Sequence, residues 1–174
     1  DMCIRDSLSA EWAYRFVGNL TSKPVFDIGG GGFRAVIKAD TNIGVAGAVG
    51  DIRINDLPVF GWGRFPVRKG STIEIRQINS GTFTYISIYG GLKIQPILGS
   101  VSTCFRDRLG GVTGRGDPLK AGDIISFDES RLQNIEFVPR QFVPSFEEAL
   151  ICDVMIYKDS FPEEHRSTFL SQSY

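Results

Sequence analysis

Between residues 100 and 115 the chain places three hydroxyls, on Ser100, Ser102 and Thr103, close to three guanidinium groups, on Arg106, Arg108 and Arg115. Glycines at 99, 110, 111, 114 and 116 are interleaved with them. Glycine frees backbone N–H groups to point at a ligand, and arginine offers a planar fork that holds a carboxylate through two parallel hydrogen bonds. Such an array suits an anion, whether a carboxylate, a phosphate or the oxyanion of a tetrahedral intermediate. The residues nominated for substrate or phosphate contact are Ser100, Ser102, Thr103, Arg106, Gly110, Gly111, Arg115 and Lys120. A covalent serine is disfavoured because it needs a partnered base. The single histidine, His165, falls in a predicted terminal helix among acidic residues and reads as solvated. No catalytic residue and no metal ligand is assigned. A simpler account of the same loop stays open: glycines making turns, Arg106 and Arg115 paired with Asp107 or Asp123, and Ser100 capping a short helix.

Other motifs carry less. Gly29-Gly30-Gly31-Gly32 lacks the Gly-Lys-Ser/Thr that would make it a phosphate loop, and reads as a turn between strands. Arg115-Gly116-Asp117 matches an adhesion tripeptide by coincidence. Asn19-Leu20-Thr21 fits a glycosylation acceptor, but nothing in the sequence points to secretion. Cys104 and Cys152 read as reduced, buried thiols, and Trp12 and Trp62 as packing residues.

The whole chain has 174 residues, 42% hydrophobic and 22% charged, which suits one domain with a substantial core. Nineteen basic residues against twenty acidic ones leave a net charge of −1, so the field of a nucleic-acid binder or a polybasic membrane patch is missing. No segment approaches the run of roughly 18 apolar residues that a membrane span requires. Three cysteines and one histidine cannot build a disulfide framework or a zinc site. The expectation is a glycine-rich globular protein of the cytoplasm. Met2 to Asp6 resembles the translated end of a transposon used to tag sequencing libraries. Residues 1–7 are therefore expected to be non-native and are set aside from the fold, leaving 8–174 as a partial domain.

The elements that must position the loop follow from periodicity. Ser9 to Gly18 predicts a helix, capped by Ser9 and stopped at Gly18-Asn19. Strands are predicted over 24–28, 33–38, 42–48 and 52–54. The small and apolar residues of 42–48 suit a strand buried on both faces. Alternation over Thr72 to Ile78, a turn at Asn79-Ser80-Gly81 and a β-branched, aromatic run over Thr82 to Tyr89 predict an antiparallel hairpin. Further strands are expected over 124–127, 135–138 and 154–157. A short helix is expected near Ser145 to Glu148 and another over Phe161 to Ser171. Many short strands with glycine-rich turns point to a barrel or sandwich. The stretch from Leu98 to Pro118 exceeds the roughly 12–15 residues of an ordinary connection, as functional loops do.

Four linked elements carry a resemblance. Tyr85-Ile86-Ser87-Ile88-Tyr89-Gly90-Gly91 precedes Leu98-Gly99-Ser100-Val101-Ser102-Thr103, then Gly110-Gly111 with Gly114-Arg115, then Leu119-Lys120-Ala121-Gly122-Asp123. In this order they resemble the allophanate hydrolase subunit 2 family, also known as the biotin-dependent carboxyltransferase A/B subdomain or the C subunit of 5-oxoprolinase. Ala13 to Asn19, ending in Val17-Gly18-Asn19, the strand over 43–48, the Ile54-Asn55-Asp56 turn and Phe65 to Gly70 also resemble that family's pattern. Departures are Val101 where arginine is common, Val112-Thr113 in place of an aromatic-acidic pair, and Gly116-Asp117 as an insertion before Pro118. The family's opening Gln-Asp-x-Gly-Arg and later Ser-x-Arg-Met-Gly segments are not in this chain, so truncation at both ends is expected.

The resemblance implies a mainly β, cyclophilin-like barrel with a few peripheral helices. It implies a subunit of an ATP-dependent amide-bond hydrolase of the 5-oxoprolinase kind, opening 5-oxoproline to glutamate, with the isolated piece inactive. ATP would be used through the assembled complex. The implied partners are a B-like subunit of cyclophilin fold and a lactam-binding subunit, with a small amide as substrate and neither nucleic acid nor membrane. One alternative is the carboxyltransferase part of a urea carboxylase/allophanate system. Its biotin would be carried by another chain, since neither Met2 nor Met155 is followed by lysine. Another is a non-catalytic regulatory partner of a kinase-inhibitor subunit.

Overall fold

The computed structural model describes residues 6–145 and 162–171. Helix α1 (Ser7–Phe16) is followed by nine strands: β1 (Phe26–Gly29), β2 (Gly31–Val36), β3 (Thr41–Ile54), β4 (Leu57–Pro58), β5 (Gly63–Val67), β6 (Thr72–Ile88), β7 (Leu92–Lys93), β8 (Ser126–Phe127) and β9 (Glu136–Phe137). Helix α2 (Glu163–Ser171) comes last. Residues 146–148 of the predicted helix near Ser145 to Glu148, and the whole predicted strand over 154–157, lie outside the described residues. Among the described residues no helix is long and apolar enough to cross a membrane.

The chain is mainly β, as expected. The main sheet runs β1-β6-β3-β5-β9, with β2 also on β6 and β4 on β3, while β7 and β8 form a separate pair. Among the described strands no pairing joins β1 to β9, so this sheet stays an open path.

The predicted hairpin over residues 72–89 is not formed. Thr72–Ile88 is one strand of 17 residues, and its partner is the equally continuous β3. The reason lies in a shared bend. The β3–β6 register shifts at Gly47/Val49, Val49/Gly50 and Asp51/Ile52, opposite the Asn79-Ser80-Gly81 stretch that imitates a turn. Beside it, β1 pairs with residues 83–86 of β6 and β2 with residues 72–77, so the glycine run at 29–32 spans the same corner. At this corner a side chain cannot fit: a Cβ at Gly47 would lie 2.4 Å from Phe83 O, and one at Gly50 2.0 Å from Gln77 O. An extra residue on a strand reverses which parity faces inward. Ile43 and Val45 give way to Ile52 on β3, and Ile73 and Ile75 to Ile86 and Ile88 on β6. All of them meet in one buried cluster with Ile28, Phe65 and Val67. The bent sheet thus wraps its own core.

The opposite face of β3 is covered by α1. Gly44 sits so close to the helix that an added Cβ would be 2.2 Å from Ala13 O, and Ala46 packs with Ala10, Ala13, Tyr14, Phe16, Trp62 and Tyr85. Both faces of residues 41–48 are therefore buried, as their small side chains predicted. Trp62 is a packing residue whose Nε1 donates to Gly47 O at 2.8 Å inside this second cluster. The cap of α1 differs from expectation. Asp6, set aside with the presumed tag, accepts the Ser9 N–H at 3.0 Å and the Ser9 hydroxyl at 2.5 Å, and its own N–H donates to Tyr85 Oη at 3.1 Å. Ser9 is the capped third residue rather than the cap.

The C-terminus of α1 meets the strand that leads to the loop. Gly18, at φ +66°, donates to Arg15 O, and Asn19 N–H donates to Tyr14 O, which closes a Schellman motif. The Asn19 side chain then donates to Ile88 O at 2.6 Å and Ser87 Oγ at 2.9 Å and accepts the Gly90 N–H at 2.9 Å. Two family-like segments, Val17-Gly18-Asn19 and Tyr89-Gly90-Gly91, are thereby one unit. On the far side, β5, which contains Pro66, was not among the expected strands. Proline is tolerated there because β9 covers only Gly63 and Arg64, leaving position 66 on an open edge.

Candidate functional site

The loop after β7 is built from nested tight turns. Ile97 and Ser100 exchange both backbone hydrogen bonds across Leu98-Gly99, whose φ values of +50° and +77° are those of a hairpin turn. Cys104 and Leu109 do the same across a four-residue tip, Phe105-Arg106-Asp107-Arg108, in which Arg108 takes φ +54°. Gly116 N–H then donates to Gly110 O at 2.9 Å and Gly111 N–H to Val101 O at 3.3 Å, folding the loop onto itself. Glycine is required at its crossing point: a Cβ at Gly110 would lie 1.9 Å from Ser102 O, and one at Gly111 2.7 Å from Thr103 Oγ1. Gly110, Gly111 and Gly116 are buried although no strand contains them.

These turns aim cations into one place. A cavity of about 400 Å³ is lined by Phe105, Arg106, Arg108, Arg115 and Asp117. Of the eight residues nominated from sequence, Arg106 and Arg115 line it. Ser100, Ser102, Thr103, Gly110 and Gly111 form the loop framework behind them. Lys120 does not line it and belongs to a separate turn, where its N–H donates to Asp123 Oδ2 at 2.8 Å. Phe105, Arg108 and Asp117 were not nominated. Arg108 was countable among the loop's cations, but its place in the lining, at a left-handed φ of +54°, is not signalled by the spacing.

The simpler account of the loop holds in part. Arg106 is paired with its neighbour Asp107, Nε to Oδ1 at 3.0 Å and a terminal nitrogen to Oδ2 at 3.1 Å. Asp107 also accepts from the Cys104 thiol at 3.2 Å. The Arg106 guanidinium, and secondarily the Cys104 thiol, hold the Asp107 carboxyl below the usual aspartate range. Cys104 is a free thiol as expected, although half-buried rather than buried. Arg115 has no ion-pair partner among the described residues, and neither has Arg108. Ser100 caps no helix: its Oγ accepts the Ser102 N–H at 3.2 Å in a serine turn. The lining thus carries three guanidinium groups against one carboxylate. A small anion entering the cavity would find two unengaged forks and, in competition with Asp107, a third.

Nucleophilic chemistry has no support on this loop. His165 lies on α2, solvent-exposed, with its Nε2 3.6 Å from Glu164 Oε1. Since it is the only histidine in the chain, no serine of the loop has an imidazole base from within the sequence.

A family profile described as "Carboxyltransferase domain, subdomain A and B" matches residues 4–174. The C subunit of the 5-oxoprolinase of Haemophilus influenzae is 31% identical over 118 residues, covering 68% of this chain and 38% of that protein. The urea amidolyase of Lachancea kluyveri is 29% identical over 127 residues, covering 73% of this chain and 7% of that protein. Among solved structures, the urea carboxylase of Kluyveromyces lactis superposes with a TM-score of 0.77 at 27% identity, covering 96% of this chain and 16% of that one. The chain spans well under half the length of these relatives.

Proposed function

Because the chain belongs to the carboxyltransferase subdomain A and B family, we propose that it serves as the substrate-anion-holding part of an enzyme acting on a small amide, most closely an ATP-dependent 5-oxoprolinase that opens 5-oxoproline to glutamate. The observation that carries this reading is the convergence of Arg106, Arg108 and Arg115 on one cavity, with Arg108 and Arg115 free of carboxylate partners among the described residues. Such a cavity suits the acid group of 5-oxoproline or a phosphate oxygen. ATP, used by the assembled complex, would supply the energy of ring opening. This chain's own residues bind and orient: the arginines hold the acid group, while Gly110 and Gly111 let the loop backbone close behind it. The similarity to a protein named as a subunit of 5-oxoprolinase supports a place in a larger assembly.

A second reading is favoured by the match to urea carboxylase over nearly the whole chain. In it the same cavity holds the carboxylate of a carboxylated intermediate, and biotin comes on another chain or domain.

The complete gene product, co-purified with its partner subunits, is to be assayed for glutamate release from 5-oxoproline and ATP. Arg115→Ala is expected to lower kcat/KM by about 10- to 100-fold, since a charge-assisted hydrogen bond contributes about 1.5–3 kcal/mol. Absence of glutamate, or an unaffected Arg115→Ala variant, refutes the reading. Incorporation of labelled bicarbonate into urea would transfer the assignment to the second one.

A further inference from the structure

Asp117 shares the cavity wall with Arg106, Arg108 and Arg115, yet among the described residues no ion pair joins it to any of them. A carboxylate beside three guanidinium groups would ordinarily swing into one of their forks. Here it is restrained. Its Oδ2 accepts from the Thr113 hydroxyl at 2.9 Å, and that hydroxyl oxygen in turn accepts the Arg115 N–H at 3.2 Å. A single threonine therefore sets the acid in relation to the backbone of the arginine.

The residue between them fixes the backbone from which Asp117 projects. Gly116 has φ +71°, and a Cβ there would lie 2.3 Å from Cys104 O and 2.8 Å from Leu109 N. Its N–H is held by Gly110 O at 2.9 Å. Gly116 and Asp117 are the two residues that read as an insertion in the sequence, and the fold accommodates them by packing the glycine backbone against the closing Cys104–Leu109 pair at the base of that hairpin. An ionised carboxylate offers about four acceptor positions, and the Thr113 hydroxyl occupies one.

The cavity therefore has a cationic side and one acceptor oriented by Thr113. We infer that Asp117 is a specificity-determining residue, which accepts an N–H from a ligand whose acid group rests on the arginines. The chemical class selected is a small monoanion with a neutral N–H near its acid group: a lactam acid or a ureido acid. Acids lacking the N–H would leave the acceptor positions of Asp117 that Thr113 does not fill desolvated and without a donor. This inference rests on the cavity being the anion site proposed above.

The test compares binding of 5-oxoproline with that of 5-oxotetrahydrofuran-2-carboxylate, the same ring with oxygen in place of N–H, to the complete protein by calorimetry. The parent protein is expected to prefer the lactam by about tenfold or more, as a hydrogen bond to a charged group contributes. Asp117→Ala should abolish the preference without weakening the lactone, which also shows that the cavity has kept its shape. Asp117→Asn, which retains a carbonyl acceptor, should keep part of it. Arg115→Ala should weaken both acids alike. Equal binding of the two acids to the parent, or a preference that survives Asp117→Ala, overturns this inference alone. Binding of neither acid overturns both the inference and the anion-site reading beneath it.

Discussion

Asn19→Ala is expected to destabilise the fold by about 2–3 kcal/mol, because one side chain ties the helix terminus to the strand that feeds the loop. Its Nδ2 donates to Ile88 O at 2.6 Å and to Ser87 Oγ at 2.9 Å, both in partly shielded surroundings, and Ser87 is fully buried. The third bond, from Gly90 N–H to Asn19 Oδ1, is exposed, so water replaces it at little cost. A net hydrogen bond contributes about 0.5–1.5 kcal/mol, and a buried partner left unsatisfied costs about 1–3 kcal/mol. The two shielded bonds together give the expected figure. For a domain of this length each kcal/mol moves Tm by about 2–4 °C, so a fall of roughly 4–12 °C should follow. Urea unfolding monitored by circular dichroism measures the change directly, and the slope should stay constant if only native contacts are lost. Asn19→Asp makes the comparison sharper. It keeps the acceptor for Gly90 and loses both donors, so it should cost nearly as much as alanine. An alanine variant within about 0.5 kcal/mol of the parent, or an aspartate variant as stable as asparagine, would refute the assignment of the energy to the two donated bonds.

Two further outcomes bear on the loop. Gly110→Ala should abolish anion binding, since its methyl group would lie 1.9 Å from a backbone oxygen at φ +73°, where any side chain already costs about 1–2 kcal/mol. Gly99→Ala, at φ +77° with no atom near its added Cβ, should be milder in the same calorimetric titration, and equal losses would contradict the steric argument. Asp107 should titrate below ordinary aspartates, because its native carboxylate is favoured by Arg106 and then by Cys104. A native pKa lower than the unfolded one means that the pair's contribution is complete above the ordinary aspartate range and is lost as pH falls through the native value. Arg106→Ala should move the Asp107 titration upward in a carboxyl-resolved NMR experiment, and an unmoved curve would show that Arg106 is not the main cause.

Much of the strand content was legible because alternation and β-branched residues report a half-buried surface whatever its partner. The pairing was not. Asn79-Ser80-Gly81 carries the chemistry of a hairpin turn, yet it lies within a continuous strand, because β3 runs alongside β6 and bends at the same level through Gly47 and Gly50. A turn and a bend need the same permissive residues, and only the neighbouring strand distinguishes them. The cap of α1 was assigned to Ser9 for a related reason: a cap is recognised by where its side chain reaches, and the second anchor of Asp6, Tyr85 Oη, is 79 residues away.

The site divides in the same way. Residue types alone determined that the stretch from Ser100 to Arg115 is rich in cations and permissive backbone, and therefore suited to an anion, because charge and φ freedom belong to each residue wherever it is placed. Tertiary structure decided which cations converge. The left-handed turn at Arg108, the crossing of Gly110 under Ser102 and the Thr113 hydroxyl bring Arg106, Arg108, Arg115 and Asp117 around one cavity, while Lys120 is kept in a turn of its own. Convergence depends on contacts between residues that spacing leaves independent, and such contacts exist only once the loop has closed on itself.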